Sequence, residues 1–181
     1  AGQLEDDPGL RVAAAWILAM TGEADRARRL MCGFDPSTLD GLDPPDRAAS
    51  PRSSAALVRA LLAAGGAHQM RDDAREAARL EGMNPGPWQA LCRLALGVAE
   101  MLCGDDSAAG EALELAARRT EAWDDAVDLA ALGELSLLAG DAGRWDEAAE
   151  YAFEAARRAA ARPAGDYLTT AAARLARDRL A

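Results

Sequence analysis

Residues suited to acid–base catalysis are scarce in this sequence. His68 is the single histidine and no lysine occurs, so one common general base is nearly absent and another is missing. The acidic pairs fall at or near predicted helix starts, where the helix dipole stabilises a carboxylate without any catalytic role. These pairs are Asp6-Asp7, Asp72-Asp73, Asp105-Asp106 and Asp124-Asp125. We therefore predict no catalytic residue and no enzymatic activity.

Metal ligation finds little support either. A site would have to combine His68 with carboxylates or cysteines from distant parts of the chain. The cysteines, Cys32, Cys92 and Cys103, form no Cys-x-x-Cys pair. Cys92 and Cys103 lie on one predicted helix, too far apart for a disulfide. We expect reduced thiols, with a redox sensor as the alternative, and we predict no metal and no cofactor.

Composition restricts the class of protein. The 181 residues carry a formal charge of −10, which argues against direct contact with nucleic acid. Aromatic residues make up 4% of the chain, which argues against a β-sandwich or barrel. No apolar run is long enough to span a membrane, and the N-terminus shows no signal segment. We expect a cytoplasmic domain that contacts no membrane and, since it begins without Met, was excised from a longer chain.

Helix signals recur along the whole chain, and no strand is predicted. Asp7-Pro8 and Ser50-Pro51 each combine an N-cap residue with proline at the first helical position, and Pro87 opens another helix. The nine predicted helices cover roughly 8–21, 23–32, 51–65, 67–81, 87–104, 105–120, 124–139, 144–161 and 165–180. The Pro-, Gly- and Asp-rich segment 34–50 is predicted to be an acidic loop. Three tryptophans near helix starts are expected to pack in the core: Trp88, Trp123 and Trp145.

Four of the predicted helices end in the same way. Their closing glycines are Gly22, Gly65, Gly104 and Gly140, spaced 43, 39 and 36 residues apart. Glycine supplies the left-handed backbone that ends a helix, and another helix follows each of the four. Four helix–glycine–helix units and a terminal helix predict an all-α solenoid that covers residues 1–181 as one domain, with the 34–50 loop inside it.

These residues resemble tetratricopeptide repeats, which pair a first helix containing Leu-Gly with a second helix rich in small residues. Leu96-Gly97 is followed at the family's spacing by Ala109, Leu113 and Ala116. Leu132-Gly133 repeats the first part, but Ala148 and Ala155 follow only if about three residues near 141–143 are inserted. The resemblance implies a right-handed superhelix of four helix hairpins and a C-terminal helix.

A more specific resemblance comes from the residue composition of the repeats and from the way their second helices end. The second helices end in ARRL (27–30), AARL (77–80), AARR (116–119) and AARR (155–158). Such Ala/Arg-rich pairs with Gly-acid turns are similar to the superhelical sensor region of large ATP-dependent LuxR-type bacterial regulators, the family of the maltose activator. In that family a nucleotide-binding domain precedes this region and a helix-turn-helix follows it. Neither motif occurs in this sequence.

The tetratricopeptide resemblance also implies a binding groove, because the first helix of each unit lines the concave face. Counting back from the four glycines gives the candidate residues Trp16, Met20, Arg52, Arg59, Leu62, Leu94, Val98, Met101, Glu134 and Leu138. Independently of the family, helix 87–104 is apolar on nearly every side, and Glu134 falls on an otherwise apolar face. A carboxylate there is costly unless it is paired. The alternative is that the terminal helix fills this groove as ordinary core.

Together these features predict a binding or sensor module of a bacterial transcriptional regulator. Its ligand would be a protein or peptide segment, such as an amphipathic helix, or a small molecule with a polar group. The alternative is a stand-alone interaction scaffold unrelated to transcription.

Overall fold

The computed structural model describes residues 7–43, 48–82, 87–118 and 126–160. Within these ranges the chain forms eight α-helices and one short 3-10 helix, without a strand, which confirms the all-α prediction there. The chain divides into two compact units, Ala1–Asn84 and Pro85–Ala181. That the whole chain forms one repeat domain stays a prediction. The predicted ninth helix, 165–180, lies outside the described residues.

The first unit contains α1 (Pro8–Met20), α2 (Ala24–Met31), the 3-10 helix (Pro36–Leu39), α3 (Pro51–Leu62) and α4 (Ala67–Glu81). Helix α1 packs on α2 and on α3, and α3 packs on α4. The predicted N-caps are confirmed, since Asp7 accepts a hydrogen bond from the Leu10 N–H at 3.0 Å. Ser50 and Ser53 form a reciprocal capping box at the start of α3.

Residues predicted to form a loop contribute to the core of the first unit. That core consists of Val12, Ala15, Ala27, Met31, Leu39, Ala55, Val58 and Leu62. Asp35 accepts a hydrogen bond from the Ser37 N–H at 2.9 Å and so starts the 3-10 helix. The turn brings Leu39 into the core. The loop prediction for 34–50 is therefore wrong at Pro36–Leu39, because an Asp-Pro pair can cap a short helix as well as mark a loop.

The second unit contains α5 (Pro87–Leu102), α6 (Asp106–Ala117), α7 (Ala126–Asp141) and α8 (Trp145–Ala160). Helix α6 packs against α5 and α7, and α7 packs against α8. Its core consists of Ala109, Leu113, Ala116, Ala117, Leu129, Ala131, Leu132, Leu135, Leu138 and Ala155. Gly97 lets α5 and α6 approach closely, since a Cβ there would lie 2.5 Å from Leu113 Cγ. This contact gives the Leu-Gly motif of α5 a packing role.

One turn geometry ends three helices of the two units. The left-handed residue after α1, α5 and α7 is a glycine, Gly22, Gly104 or Gly143, with φ of 83°, 81° and 74°. In each case the next backbone N–H donates to a carbonyl five residues earlier: Glu23 to Leu18 at 2.8 Å, Asp105 to Glu100 at 3.0 Å and Arg144 to Ala139 at 2.9 Å. This is the Schellman pattern of helix termination. Helix α3 instead ends at Leu62, and the left-handed residue after it is Ala63, with φ of 43°. The prediction that Gly65 closes this helix is therefore wrong, because Gly65 does not adopt a positive φ.

The prediction that Gly140 closes helix α7 is wrong. Gly140 lies inside α7, which continues to Asp141, and the turn residue is Gly143. A glycine ends a helix where it adopts the left-handed backbone conformation. The sequence alone does not show which of two nearby glycines adopts it. Gly143 stands 39 residues after Gly104, and Ala148 then follows its glycine by five residues, as Ala109 follows Gly104.

Candidate functional site

The two candidate arginines lie on one side of α3, seven residues or about two helical turns apart. Arg52 Nε lies 2.8 Å from Asp40 Oδ1, and Arg59 Nε lies 2.8 Å from Asp73 Oδ1 on α4. The Arg59–Asp73 pair is the more enclosed, with side chains 23% and 13% exposed. Arg59 Nη1 is buried and has no hydrogen-bond partner within the described part of the chain. Both arginines are thus neutralised inside their own unit.

The other candidates in the first unit differ in accessibility. Met20 is exposed, Trp16 is half-buried and packs against the core, and Leu62 is a buried core residue. Burial leaves almost none of the Leu62 side chain for a ligand. Met20 and part of Trp16 therefore remain as apolar surface near the end of α1.

In the second unit, the apolar candidates meet at the core. Leu94 and Met101 of α5 are partly buried and pack against a cluster that includes Leu138 of α7. Leu138 itself is buried, so it holds the helices together and offers little surface. Val98 is half-buried on α5. Helix α5 also exposes Leu102 at its last turn.

Glu134 is the exceptional candidate. It lies in the middle of α7, half-buried, between helix neighbours that are mostly apolar. Burial raises the pKa of its carboxyl group above the ordinary glutamate range. No residue in the described ranges forms an ion pair with it. The carboxylate is therefore held in an environment that disfavours its charge.

The corrected turn register changes which residue of α7 corresponds to the groove positions of α5. Val98 stands six residues before Gly104, and Leu137 stands six residues before Gly143. Leu137 is thus the counterpart of Val98, while Glu134 corresponds to the buried Ala95. Placement of Glu134 by glycine register is therefore unsupported. Its position on an apolar helix face is an independent observation that still holds.

The ten candidates divide equally between the two units. Trp16 and Leu62 meet at the core of the first unit, and Leu94, Met101 and Leu138 meet at the core of the second. The division follows the two compact units of the chain. One continuous concave surface through all ten residues stays a prediction.

Sequence reasoning missed a buried carboxylate in the first unit. Glu81, at the end of α4, accepts hydrogen bonds from the Ala49 N–H at 3.0 and 3.2 Å. The Ser53 hydroxyl also donates to it. Glu81 thus ties the end of α4 to the start of α3. The capping serines of α3 were evident from the sequence, but nothing in the pattern indicated that a residue 28 positions away from Ser53 would bind there.

Arginines that the repeat pattern placed in last turns make contacts to other helices. Arg28 of α2 donates to the Leu62 carbonyl of α3 at 3.0 Å. Arg158 of α8 donates to the Ala117 carbonyl of α6 at 3.1 Å and to Asp128 of α7 at 2.7 Å. These guanidinium groups satisfy carbonyls left unpaired at helix ends. The shared Arg-rich endings therefore connect helices as well as complementing their own helix dipoles.

No metal site, membrane span or known relative assigns a function to the described residues. Among the described residues, no group of three or more His, Cys, Asp or Glu side chains is arranged to hold a metal ion. None of the helices in these ranges combines the length and the apolar character needed to cross a membrane. No family model, curated protein or solved structure matches the chain. Any assignment of function therefore depends on the chain's own residues.

Proposed function

We propose that this chain is the binding or sensor module of a bacterial transcriptional regulator. In this proposal its helix hairpins form a right-handed, tetratricopeptide-like superhelix, and a protein segment or small ligand binds the concave face. The recurrent Schellman turns at Gly22, Gly104 and Gly143 support a repeated hairpin unit. The Ala/Arg-rich endings support the resemblance to LuxR-type regulators.

The observation that carries the proposal is Glu134. A half-buried carboxylate with a raised pKa and no ion pair in the described ranges costs stability in the isolated chain. Structural carboxylates in this protein, such as Asp73 and Asp128, are paired with arginine instead. A ligand that places a cation or a hydrogen-bond donor against Glu134 would compensate the cost.

The proposed mechanism is a population shift. A ligand can change the equilibrium between two arrangements of the hairpins only if it binds one arrangement more tightly than the other. Glu134 supplies such a difference in binding affinity. Its ionised carboxylate is stabilised only in the arrangement in which a hydrogen-bond donor or cation of the ligand lies against it. DNA binding would belong to another domain of the regulator, since this chain carries a charge of −10.

The test is a transcriptional reporter driven by the intact regulator that contains this chain. Glu134→Gln is compared with Glu111→Gln, which changes an exposed glutamate of α6. We expect Glu134→Gln to reduce the inducible response without lowering the melting temperature, and Glu111→Gln to change neither. An unchanged response would contradict the role of Glu134. A full-length chain without nucleotide-binding and helix-turn-helix segments would favour the stand-alone scaffold.

A further inference from the structure

Helix α1 has apolar residues on nearly every side. Of its 13 residues only Arg11 is charged, and Arg11 reaches the end of α2, where it donates to the Leu30 carbonyl and, at 2.9 Å, to the Cys32 carbonyl. Helix α1 packs in the core of the first unit through Val12 and Ala15, which are buried. A helix that is apolar all round is normally covered on both sides. The outer side of α1 is therefore expected to have a partner.

The outer side of α1 bears an apolar stripe formed by Leu10, Ala13, Ile17 and Met20. Leu10, Ile17 and Met20 are 52%, 60% and 59% exposed. The four residues lie within about 80° of arc at 100° per residue, over about 15 Å of helix. In the described part of the chain, none of them packs against the core cluster of the first unit. A continuous exposed stripe of this kind marks an interaction site.

The charge of the chain restricts which surfaces can meet in a pair of copies. At a net charge of −10, two copies repel each other wherever their acidic surfaces approach. The stripe carries no charge, whereas α2 and α4 expose charged side chains. The carboxylates at its two ends are already bound, since Asp7 accepts from the Leu10 N–H and Glu23 pairs with Arg26. A second copy therefore meets little repulsion at the stripe.

The stripe is complementary to itself in an antiparallel arrangement. Its residues have the spacing i, i+3, i+7 and i+10 of the a and d positions of a heptad. If a two-fold axis passes midway between Ala13 and Ile17, Ala13 of one copy stands opposite Ile17 of the other. The same axis places Leu10 opposite Met20. Small residues thus meet large ones, which lets the two surfaces interlock, and the helix dipoles run in opposite directions.

The size of the contact indicates weak association. One helix of 13 residues supplies most of each side. Leu42 is also exposed and adds apolar surface at the start of α1, since its Cδ1 would lie 3.8 Å from a Cβ at Gly9. An interface of this extent falls below about 1,200 Å² in total, the range of transient complexes. We therefore expect a dissociation constant of about 10–100 μM.

We propose that the stripe of Leu10, Ala13, Ile17 and Met20 is the interface of a weak homodimer in which two copies of α1 pack antiparallel. The dimer forms and separates with the local concentration of the chain. The proposal does not depend on Glu134. Met20 is the residue that the stripe shares with the candidate groove.

The test is sedimentation velocity on the 181-residue chain from about 1 to about 500 μM, a range that brackets the expected dissociation constant. We expect the mass to rise from 18.9 kDa towards that of two chains. Ile17→Glu and Ile17→Arg should each weaken association at least about tenfold, because like charges then face each other across the axis. Leu102→Glu is the matched control, because Leu102 is 63% exposed on α5 of the second unit, and it should leave association unchanged. Circular dichroism verifies that each variant keeps its helices.

A mixture of the two variants tests whether the occupant is a second copy. Equal amounts of Ile17→Glu and Ile17→Arg should associate again, because the introduced carboxylate and guanidinium meet across the axis. Orientation is tested in a Cys32→Ser background, which removes the exposed thiol. There, Leu10→Cys should form a disulfide with Met20→Cys and not with itself.

Three results would overturn the proposal. One is a mass of a single chain up to about 500 μM. Another is association that Ile17→Glu leaves unchanged or that the mixture fails to restore. The third is a disulfide between two Leu10→Cys chains, which would reject the antiparallel arrangement.

Discussion

Gly97 controls how closely α5 approaches α6. Its missing side chain leaves room for Leu113, which is fully buried and cannot swing away, and a Cβ would also lie 3.3 Å from the Ala109 carbonyl oxygen. Gly110, on the other side of α6, has ordinary van der Waals space around a hypothetical Cβ. The two glycines therefore serve different purposes although both lie inside helices.

Alanine at these two positions should change stability in opposite directions. We expect Gly97→Ala to lower the free energy of unfolding by about 1–2 kcal/mol, because overpacking exceeds the gain in helix propensity. Gly110→Ala should raise it by about 0.5–1 kcal/mol through helix propensity alone. Urea unfolding with unchanged m-values measures both. A Gly97→Ala chain as stable as wild type would show that α5 and α6 can separate at no cost.

The pKa of Glu134 predicts how stability varies with pH. Because burial raises this pKa in the folded chain, the folded state holds the proton more tightly than the unfolded state does. The contribution to stability is therefore present below the ordinary glutamate pKa and is lost as pH rises through the raised value. Glu134→Gln should melt at a higher temperature than wild type at pH 7, by about 2–4 °C per kcal/mol recovered, and this difference should shrink towards pH 4. A lower melting temperature at pH 7 would reveal a structural partner for the carboxylate.

Arginine side chains connect the helices of each unit at their ends. Arg11 of α1 donates to the Cys32 carbonyl at 2.9 Å, after α2, and its guanidinium lies 5.5 Å from the centre of the Phe34 ring. Arg158 joins three helices, since it contacts Glu154 of its own helix, Asp128 and the Ala117 carbonyl. The hydrogen bonds from Arg157 and Arg158 also lower the pKa of Glu154 to about 2.

Adjacent arginines of α8 provide a controlled test of this connection. Arg158→Gln should lower the free energy of unfolding by about 2–4 kcal/mol, because it breaks an enclosed ion pair with Asp128, whose side chain is only 7% exposed. Arg157→Gln removes a 70%-exposed arginine whose ion pair within the described residues is with Glu154, and it should cost less than about 1 kcal/mol. Thermal unfolding of the two variants decides the point. Equal losses would show that the Arg158–Asp128 contact contributes nothing specific.

The charge of the whole chain predicts its behaviour towards DNA. With a net charge of −10, the chain lacks the cationic surface that displaces counterions from the phosphate backbone. We expect no complex with duplex DNA below about 1 μM at physiological salt in an electrophoretic mobility assay. A basic DNA-binding domain serves as the positive control. Sub-micromolar binding that weakens with salt would contradict the assignment of DNA recognition to another domain.

Residue types and local spacing were enough to predict the all-α class of the described residues and most of their helix starts. Asp7-Pro8, Ser50-Pro51 and Asp105 mark helix beginnings because capping is local, involving residues no more than a few positions apart. The sequence pattern also showed which candidate groove residues are apolar, but it did not show which of them are buried. Leu62 and Leu138 have the same residue type as the exposed Leu102, and only packing distinguishes them.

Other features depend on packing between distant parts of the chain. Packing bound Glu81 to the start of α3 and directed Arg28 and Arg158 to the ends of other helices. It also left Trp145 exposed where the sequence pattern favoured core. Each of these outcomes is a contact, or the lack of one, between residues that periodicity and capping do not relate, because both describe only neighbours along a single helix.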